Sequence, residues 1–285
     1  MTAELEVLEA GLRDLGSVVV AFSGGADSAF LAKVATDTLG RGAVLCATAI
    51  SPSLAPEEEA DCRALADEWG LRWTGVPTDE LEDPGYAVNG PDRCARCKTA
   101  LMSALGPLAT TLGATVVLGV NLDDLGDHRP GQAAAASRGA RFPLVDAGFA
   151  KADVRAWSRQ LGLRTWDKPA AACLSSRLPY GTPVTLGALR SVARAESGLR
   201  ALGFGQLRVR HHGDVARVEV EEEELFTAVA RRAEVVAAVR AAGYAYVALD
   251  LQGFRSGSLN EVLAPPAAAT APVPPAFPAA RGEAG

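Results

Sequence analysis

Apolar residues in the first 120 positions fall into short unbroken runs separated by stretches of helical spacing. The runs SVVVAF (17–22), GAVLCATAI (42–50), LRWTGVPT (71–78) and ATVVLGV (114–120) read as strands, and segments 27–40, 55–70 and 94–112 read as helices. A strand with no polar alternation belongs to a sheet buried on both faces. Its regular exchange with helices predicts a parallel, doubly wound α/β domain. The opening 16 residues predict an acidic amphipathic helix with Leu5, Leu8, Leu12 and Leu15 on one face. Three glutamates (57–59) suit the positive end of the helix that begins near residue 55.

The pattern changes at residue 168. A helix at 187–202, a strand at 206–212, a hairpin-like return at 214–221, a helix at 221–242 and a strand at 244–251 predict a smaller α+β domain. The expected division is a nucleotide-type domain (1–167), a second domain (168–262) and a Pro/Ala-rich, disordered tail (263–285). There is no internal repeat.

Composition narrows the function classes. The 285 residues carry a net charge of −6, so a broad basic face for nucleic acid is not expected. The run VVVAF (18–22) is far too short to span a membrane, and the first residues resemble neither a signal nor a transit peptide. Five cysteines, an odd number, argue for thiol or metal chemistry over a disulfide framework and for a cytoplasmic location.

Four segments carry candidate chemistry. In AFSGGADSAF (21–30) a Ser-Gly-Gly turn joins a strand to a helix; glycine permits the tight turn, and a helix start offers unpaired N–H groups to an anion. It lacks the spacing of a Walker A loop. RCARCK places Cys94 and Cys97 at a helix start, a pair compatible with redox chemistry, half a zinc site or part of an iron–sulfur site. GVNLDDLGDHRPG (119–131) sets Asp123, Asp124 and Asp127 at the carboxyl edge of the sheet, where open α/β sheets bind ligands. Arg208 and Arg210 alternate along a strand, so both point to one face and can grip a phosphate. Glu196 and Glu219 read as solvent-facing charges, and Cys46 and Cys62 as core residues.

The string SGGADS resembles the PP-loop of ATP pyrophosphatases, which split ATP into AMP and pyrophosphate. That resemblance implies that Ser23, Gly24, Gly25 and Ser28 hold phosphate, with Asp27 near a Mg²⁺-bound pyrophosphate. In order, SGGADS, RCARCK, GVNLDDLGDHRPG, ACLSSRLPYG (172–181) and RVRHHGDVARVEV are similar to the LarE family over almost all of the chain but its tail. The resemblance implies ATP-dependent sulfur transfer to pyridinium-3,5-biscarboxylic acid mononucleotide, on the route to the nickel-pincer cofactor of lactate racemase. Cys173 then carries sulfur, with Lys168 and Arg177 near enough to activate its thiol. The resemblance leaves two sulfur sources: the Cys173 sulfur itself, given up with dehydroalanine left behind, or sulfide on the open iron of a [4Fe-4S] cluster held by Cys94, Cys97 and Cys173, and the presence of all three cysteines favours the cluster. Lys98, Asp123 and Asp127 belong to the nucleotide pocket, and Arg177, Glu196, Arg208, Arg210 and Glu219 to the substrate. A homo-oligomer and a downstream nickel-inserting protein are the partners that it suggests. A tRNA-thiolating enzyme and a non-catalytic nucleotide-binding regulator are the alternatives.

Overall fold

Alternating residues of each early strand face opposite layers, which is why the runs are largely apolar. In the computed structural model, which describes residues 2–126, 130–169, 172–255 and 258, four parallel strands form one sheet. In chain order the first half comprises α1 (Thr2–Leu15), β1 (Val18–Ala21), α2 (Ala26–Leu39), β2 (Val44–Ile50), α3 (Pro56–Glu68), β3 (Trp73–Pro77), α4 (Pro84–Ala87), α5 (Arg93–Leu112) and β4 (Thr115–Leu118). The sheet order is β3-β2-β1-β4. Val18, Val20, Cys46 and Val117 pack with α1 and α2 on one side. Val19, Leu45, Ala47 and Val116 pack with Leu101, Met102 and Leu105 of α5 on the other. The fold is therefore the expected doubly wound α/β sheet.

After β4 come α6 (Pro130–Ala136), α7 (Pro143–Asp146) and α8 (Lys151–Gln160), to which the sequence pattern assigned no elements. Two are very short. The third starts at Ala150, a poor N-cap, and is secured by Asp153 accepting from the Ala150 amide.

Next come α9 (Leu186–Ala201), β5 (Leu207–His212), β6 (Val215–Val220), α10 (Leu225–Ala230), α11 (Arg232–Ala241) and β7 (Tyr246–Leu249). β5 and β6 form an antiparallel hairpin, and β7 joins β6 in parallel, giving a three-stranded mixed sheet. Leu207, Val209, Ala216, Val218 and Val220 turn toward Leu199 of α9 and Val235 and Val239 of α11. Period-two alternation sends Arg208, Arg210, Arg217 and Glu219 to the opposite face.

One expectation is corrected. The single helix over 221–242 is broken into a 3-10 turn at Glu222–Glu224 and two helices that part at Arg231. Arg231 leaves helical geometry to donate to the Leu202 carbonyl, pair with Glu234 and lie over the Phe204 ring.

Residues 1–254 make one compact unit that contains both sheets. The stretch 263–285, read as disordered, lies outside the described residues, as does Asp127. Among the described residues no helix is long and apolar enough to cross a membrane.

Candidate active site

The Ser-Gly-Gly turn leaves β1 at the carboxyl edge of the parallel sheet and enters α2 with no side chain capping the helix start at Gly25. The amide hydrogens of that first turn are thus left for a ligand. Gly24 has φ +68°, and a Cβ there would stand 3.0 Å from Cys62 Sγ and 3.7 Å from Lys168 Nζ. Any side chain would strain the backbone and press on α3, so glycine is required. The Ser23 and Ser28 hydroxyls lie 3.0 Å apart, and the Ser23 amide donates to Ser28 Oγ. A second close approach secures the loop from β4: a Cβ on Gly119 would fall 2.8 Å from the Ser28 backbone nitrogen.

Acidic and amide groups gather beside this loop. Asn121, buried, donates through Nδ2 to Asp27 Oδ1 at 3.1 Å. The Lys151 ammonium binds Asp27 Oδ2, and the Lys151 amide donates to Asp123 Oδ2 at 2.6 Å. Lys168 is held by Glu58 and Asp61 of α3 at 2.8 and 2.7 Å, so its ammonium is already balanced by two carboxylates.

Cys173 opens a short 3-10 turn, Leu174–Arg177, that is fastened from both sides. The Leu174 amide donates to the Ser53 carbonyl in the loop after β2. Ser175 Oγ lies 2.7 Å from the Tyr86 hydroxyl, which donates to Ser53 Oγ, which donates to the buried Glu80 carboxylate. Because the Tyr86 proton points to Ser53, the Ser175 hydroxyl supplies the proton of the first bond, and the chain runs in one direction toward Glu80. Hydroxyl bonds from Ser51 and Ser53 hold the Glu80 carboxyl below its usual range although burial opposes this.

Buried Arg93 donates to the Ser175 carbonyl at 2.9 Å and to Asn89 Oδ1, while Asn89 ties down the carbonyls of Leu178, Pro179 and Thr182. Burial works against the Arg93 charge, but the charge of the thiolate forms of the neighbouring Cys173 and Cys94 outweighs it and raises its pKa. Cys173 and Cys94 are exposed. Cys97 is half-buried, and burial together with the Cys173 charge pushes its thiol up to about 12. Among the described residues no three His, Cys, Asp or Glu side chains are gathered closely enough to hold a metal ion.

On the far side of the same turn lies the polar face of the small sheet. Arg177 makes a two-pronged pair with Glu196 at 2.8 and 3.0 Å, and Arg200 and the Val209 amide also bind Glu196. Arg210 forks onto Glu219 at 2.9 and 2.8 Å and reaches the Ser176 carbonyl at 2.9 Å. Arg208 lies over the Phe254 ring. These are not solvated charges: Arg177, Glus 196 and 219 and Arg208 and 210 are all at most 7% exposed. The reading of Glu196 and Glu219 as solvent-facing is therefore corrected, because tertiary arginine partners make their burial affordable. Burial and the nearby Arg177 charge draw the Arg208 pKa down to about 10. An anion bound among these guanidiniums would relieve that strain.

No family model matches the chain. A pyridinium-3,5-bisthiocarboxylic acid mononucleotide synthase of Lactiplantibacillus plantarum is 41% identical over 257 residues, covering 90% of this chain and 93% of the relative. The chain belongs to the LarE family. An uncharacterized Synechocystis protein is 46% identical over 266 residues, 92% of this chain and 99% of the relative. An uncharacterized protein of Methanocaldococcus jannaschii is 24% identical over 240 residues, 84% of this chain and 91% of its own.

In this LarE-family chain most of the residues expected from sequence fall into two groups, and the Cys173 turn contacts the second. Ser23, Gly24, Gly25, Asp27, Ser28 and Asp123 lie about the phosphate-type loop and β4. Arg177, Glu196, Arg208, Arg210 and Glu219 form the charged face of the small sheet. Cys94 and Lys98 lie where α6 meets α5, since a Cβ on Gly131 would touch both. Lys168 is turned to α3 and the Ser-Gly-Gly loop, where Glu58 and Asp61 hold it. Arg177 contacts the Cys173 carbonyl while its guanidinium is paired with Glu196. Sequence reasoning missed Arg93, Tyr86, Asn121 and Lys151. Arg93 and Asn121 sit inside quoted motifs, whereas nothing local marks Tyr86 or Lys151.

Proposed function

We propose that the chain is an ATP-dependent sulfurtransferase that converts carboxylates of pyridinium-3,5-biscarboxylic acid mononucleotide to thiocarboxylates. The observation that carries this reading is the 41% identity, over 90% of the chain, to a synthase named for the corresponding bisthiocarboxylic acid. In this reading residues 1–167 hold the nucleotide and residues 168–262 hold the substrate and deliver sulfur. ATP phosphates rest on the Ser23–Ser28 amides, with Mg²⁺ beside Asp27 and Asp123. A substrate carboxylate oxygen attacks the α-phosphorus, and pyrophosphate leaves. The resulting acyl-adenylate has a good leaving group in place of an oxide, so a thiolate can add to its carbonyl carbon and expel AMP. Arg208 and Arg210 bind the phosphate of the substrate, and buried Glu196 and Glu219 hold neighbouring guanidiniums in fixed orientation.

The attacking sulfur is assigned to Cys173: its thiolate displaces AMP to give a thioester, and loss of the Cys173 Cα proton then breaks the Cβ–Sγ bond, which releases the thiocarboxylate and leaves dehydroalanine at position 173. Exposure and the adjacent Arg93 guanidinium favour Cys173 over half-buried Cys97, whose high pKa keeps it a thiol. A [4Fe-4S] cluster on Cys94, Cys97 and Cys173 would supply sulfide from an open iron. The three thiols are electrostatic neighbours but do not, as they stand, form a cradle for metal.

The test is release of pyrophosphate and AMP from ATP and Mg²⁺ with the pyridinium dicarboxylate mononucleotide present or omitted. Substrate-dependent release of both supports the reading. ADP formation, or nucleotide binding without turnover, rejects it. Release triggered by tRNA in place of the mononucleotide favours tRNA thiolation.

A further inference from the structure

Lys151 is the first residue of α8, and it engages two acidic residues of the nucleotide rim at once. Its backbone amide donates to Asp123 Oδ2 at 2.6 Å, and its ammonium binds Asp27 Oδ2. Asp27 Oδ1 is taken by Asn121, so both oxygens of this carboxylate are engaged. We propose that Lys151 is a phosphate-binding cation of the nucleotide site, its ammonium exchanging between Asp27 and phosphate; this rests on the nucleotide reading above.

The argument is one of charge exchange. A metal ion arriving with a polyphosphate competes for Asp27 oxygen, and the polyphosphate itself demands positive charge next to the Ser-Gly-Gly loop. Lys151 answers both demands by a single movement. Its side chain is one-third exposed, and its four-carbon stem lets the ammonium swing while the backbone stays fixed on Asp123. Asp27 passes to the metal and the ammonium passes to phosphate, where a charge-assisted bond stabilises the departing pyrophosphate. Lys168, the other lysine at this loop, is a poorer candidate because two carboxylates already hold its charge.

The experiment uses the full chain and reads binding, not turnover. Affinity for inorganic pyrophosphate in the presence of Mg²⁺ is measured by calorimetry, and affinity for Mn²⁺ alone by electron paramagnetic resonance, for the wild type and Lys151→Met. The expected result is pyrophosphate binding weakened about tenfold to a hundredfold, with Mn²⁺ alone bound at least as well because Asp27 has lost its competitor. Unchanged pyrophosphate affinity overturns the inference. So does parallel loss of pyrophosphate and Mn²⁺ affinity, which would make Lys151 a residue that only orders Asp27. Lys151→Gln is read by the same criteria if the Met variant does not fold. A wild-type protein that binds no Mg²⁺–pyrophosphate would remove the nucleotide reading itself, and this inference with it.

Discussion

The two halves of the site are built from different materials. Around the Ser-Gly-Gly turn the binding surface is backbone: glycines at 24 and 119 allow chain segments to meet, and the start of α2 is left without a side-chain cap. On the small sheet the surface is side chain, with Arg177, Arg200, Arg208, Arg210 and Arg217 disposed about Glu196 and Glu219, and Arg217 also facing Asp250. A backbone site tolerates no added atoms but carries little charge of its own to balance. A guanidinium site must be neutralised in part, or it would not be buried. The Cys173 turn is fastened to the Ser53 carbonyl, in the loop after β2, on one side and to Arg210 of the small sheet on the other. In the proposed function this places Cys173 between the nucleotide and the phosphate of the substrate.

That contrast can be broken most forcefully at the turn itself. Cys173→Ala is expected to lower thiocarboxylate formation by more than about a hundredfold while substrate-dependent pyrophosphate release continues, measured on the same reaction mixture. Next in size is Glu196→Ala, which leaves Arg177 buried without its partner and is expected to cost about 3–5 kcal/mol, read as a lower urea midpoint. Glu196 also has a sign in pH. Burial alone would raise its pKa, but the Arg177 bonds prevail and lower it, so its contribution is present above the unfolded carboxylate pKa of about 4.3. Stability from this group is lost as pH falls through the folded value, and Glu196→Gln should flatten the acid limb of the stability curve.

Smaller effects sharpen the backbone side. Gly119→Ala drives a methyl group against the Asp27–Ser28 backbone and is expected to cost about 1–3 kcal/mol, with weaker nucleotide binding in calorimetry. The mildest test compares thiols: at pH 8 iodoacetamide should label exposed Cys173 and Cys94 well before Cys97, whose pKa near 12 keeps it protonated. Peptide mapping after short exposure checks the order, and early labelling of Cys97 would contradict its burial.

The same contrast explains what the sequence could reveal. SGGADS is local: its glycines, its helix start and the strand before it are contiguous, so both the element and its chemistry are legible. The apolar runs of β1, β2 and β4 are legible for the same reason, since burial on both faces removes most polar alternation, whereas β3 at the sheet edge is only partly buried. Glu196 and Glu219 were unreadable, because each is made buriable by an arginine 19 or 9 positions away in the chain. Lys151 reaches Asp27 across 124 positions, and Tyr86 reaches Ser175 across 89, and no spacing rule covers either. Arg231 shows the converse: its local pattern is helical, yet contacts with Leu202 and Phe204 pull it out of the helix.

The central claim is that the phosphate loop and the arginine face act on one reaction through Cys173. It is tested most directly by anaerobic incubation of the wild type and Cys173→Ala with ATP, Mg²⁺ and the pyridinium dicarboxylate mononucleotide, with AMP and thiocarboxylate counted by mass spectrometry. The account predicts AMP and thiocarboxylate together from the wild type, and from the variant the acyl-adenylate, with AMP only as water hydrolyses it, and no thiocarboxylate. Thiocarboxylate formed equally by both proteins would contradict it.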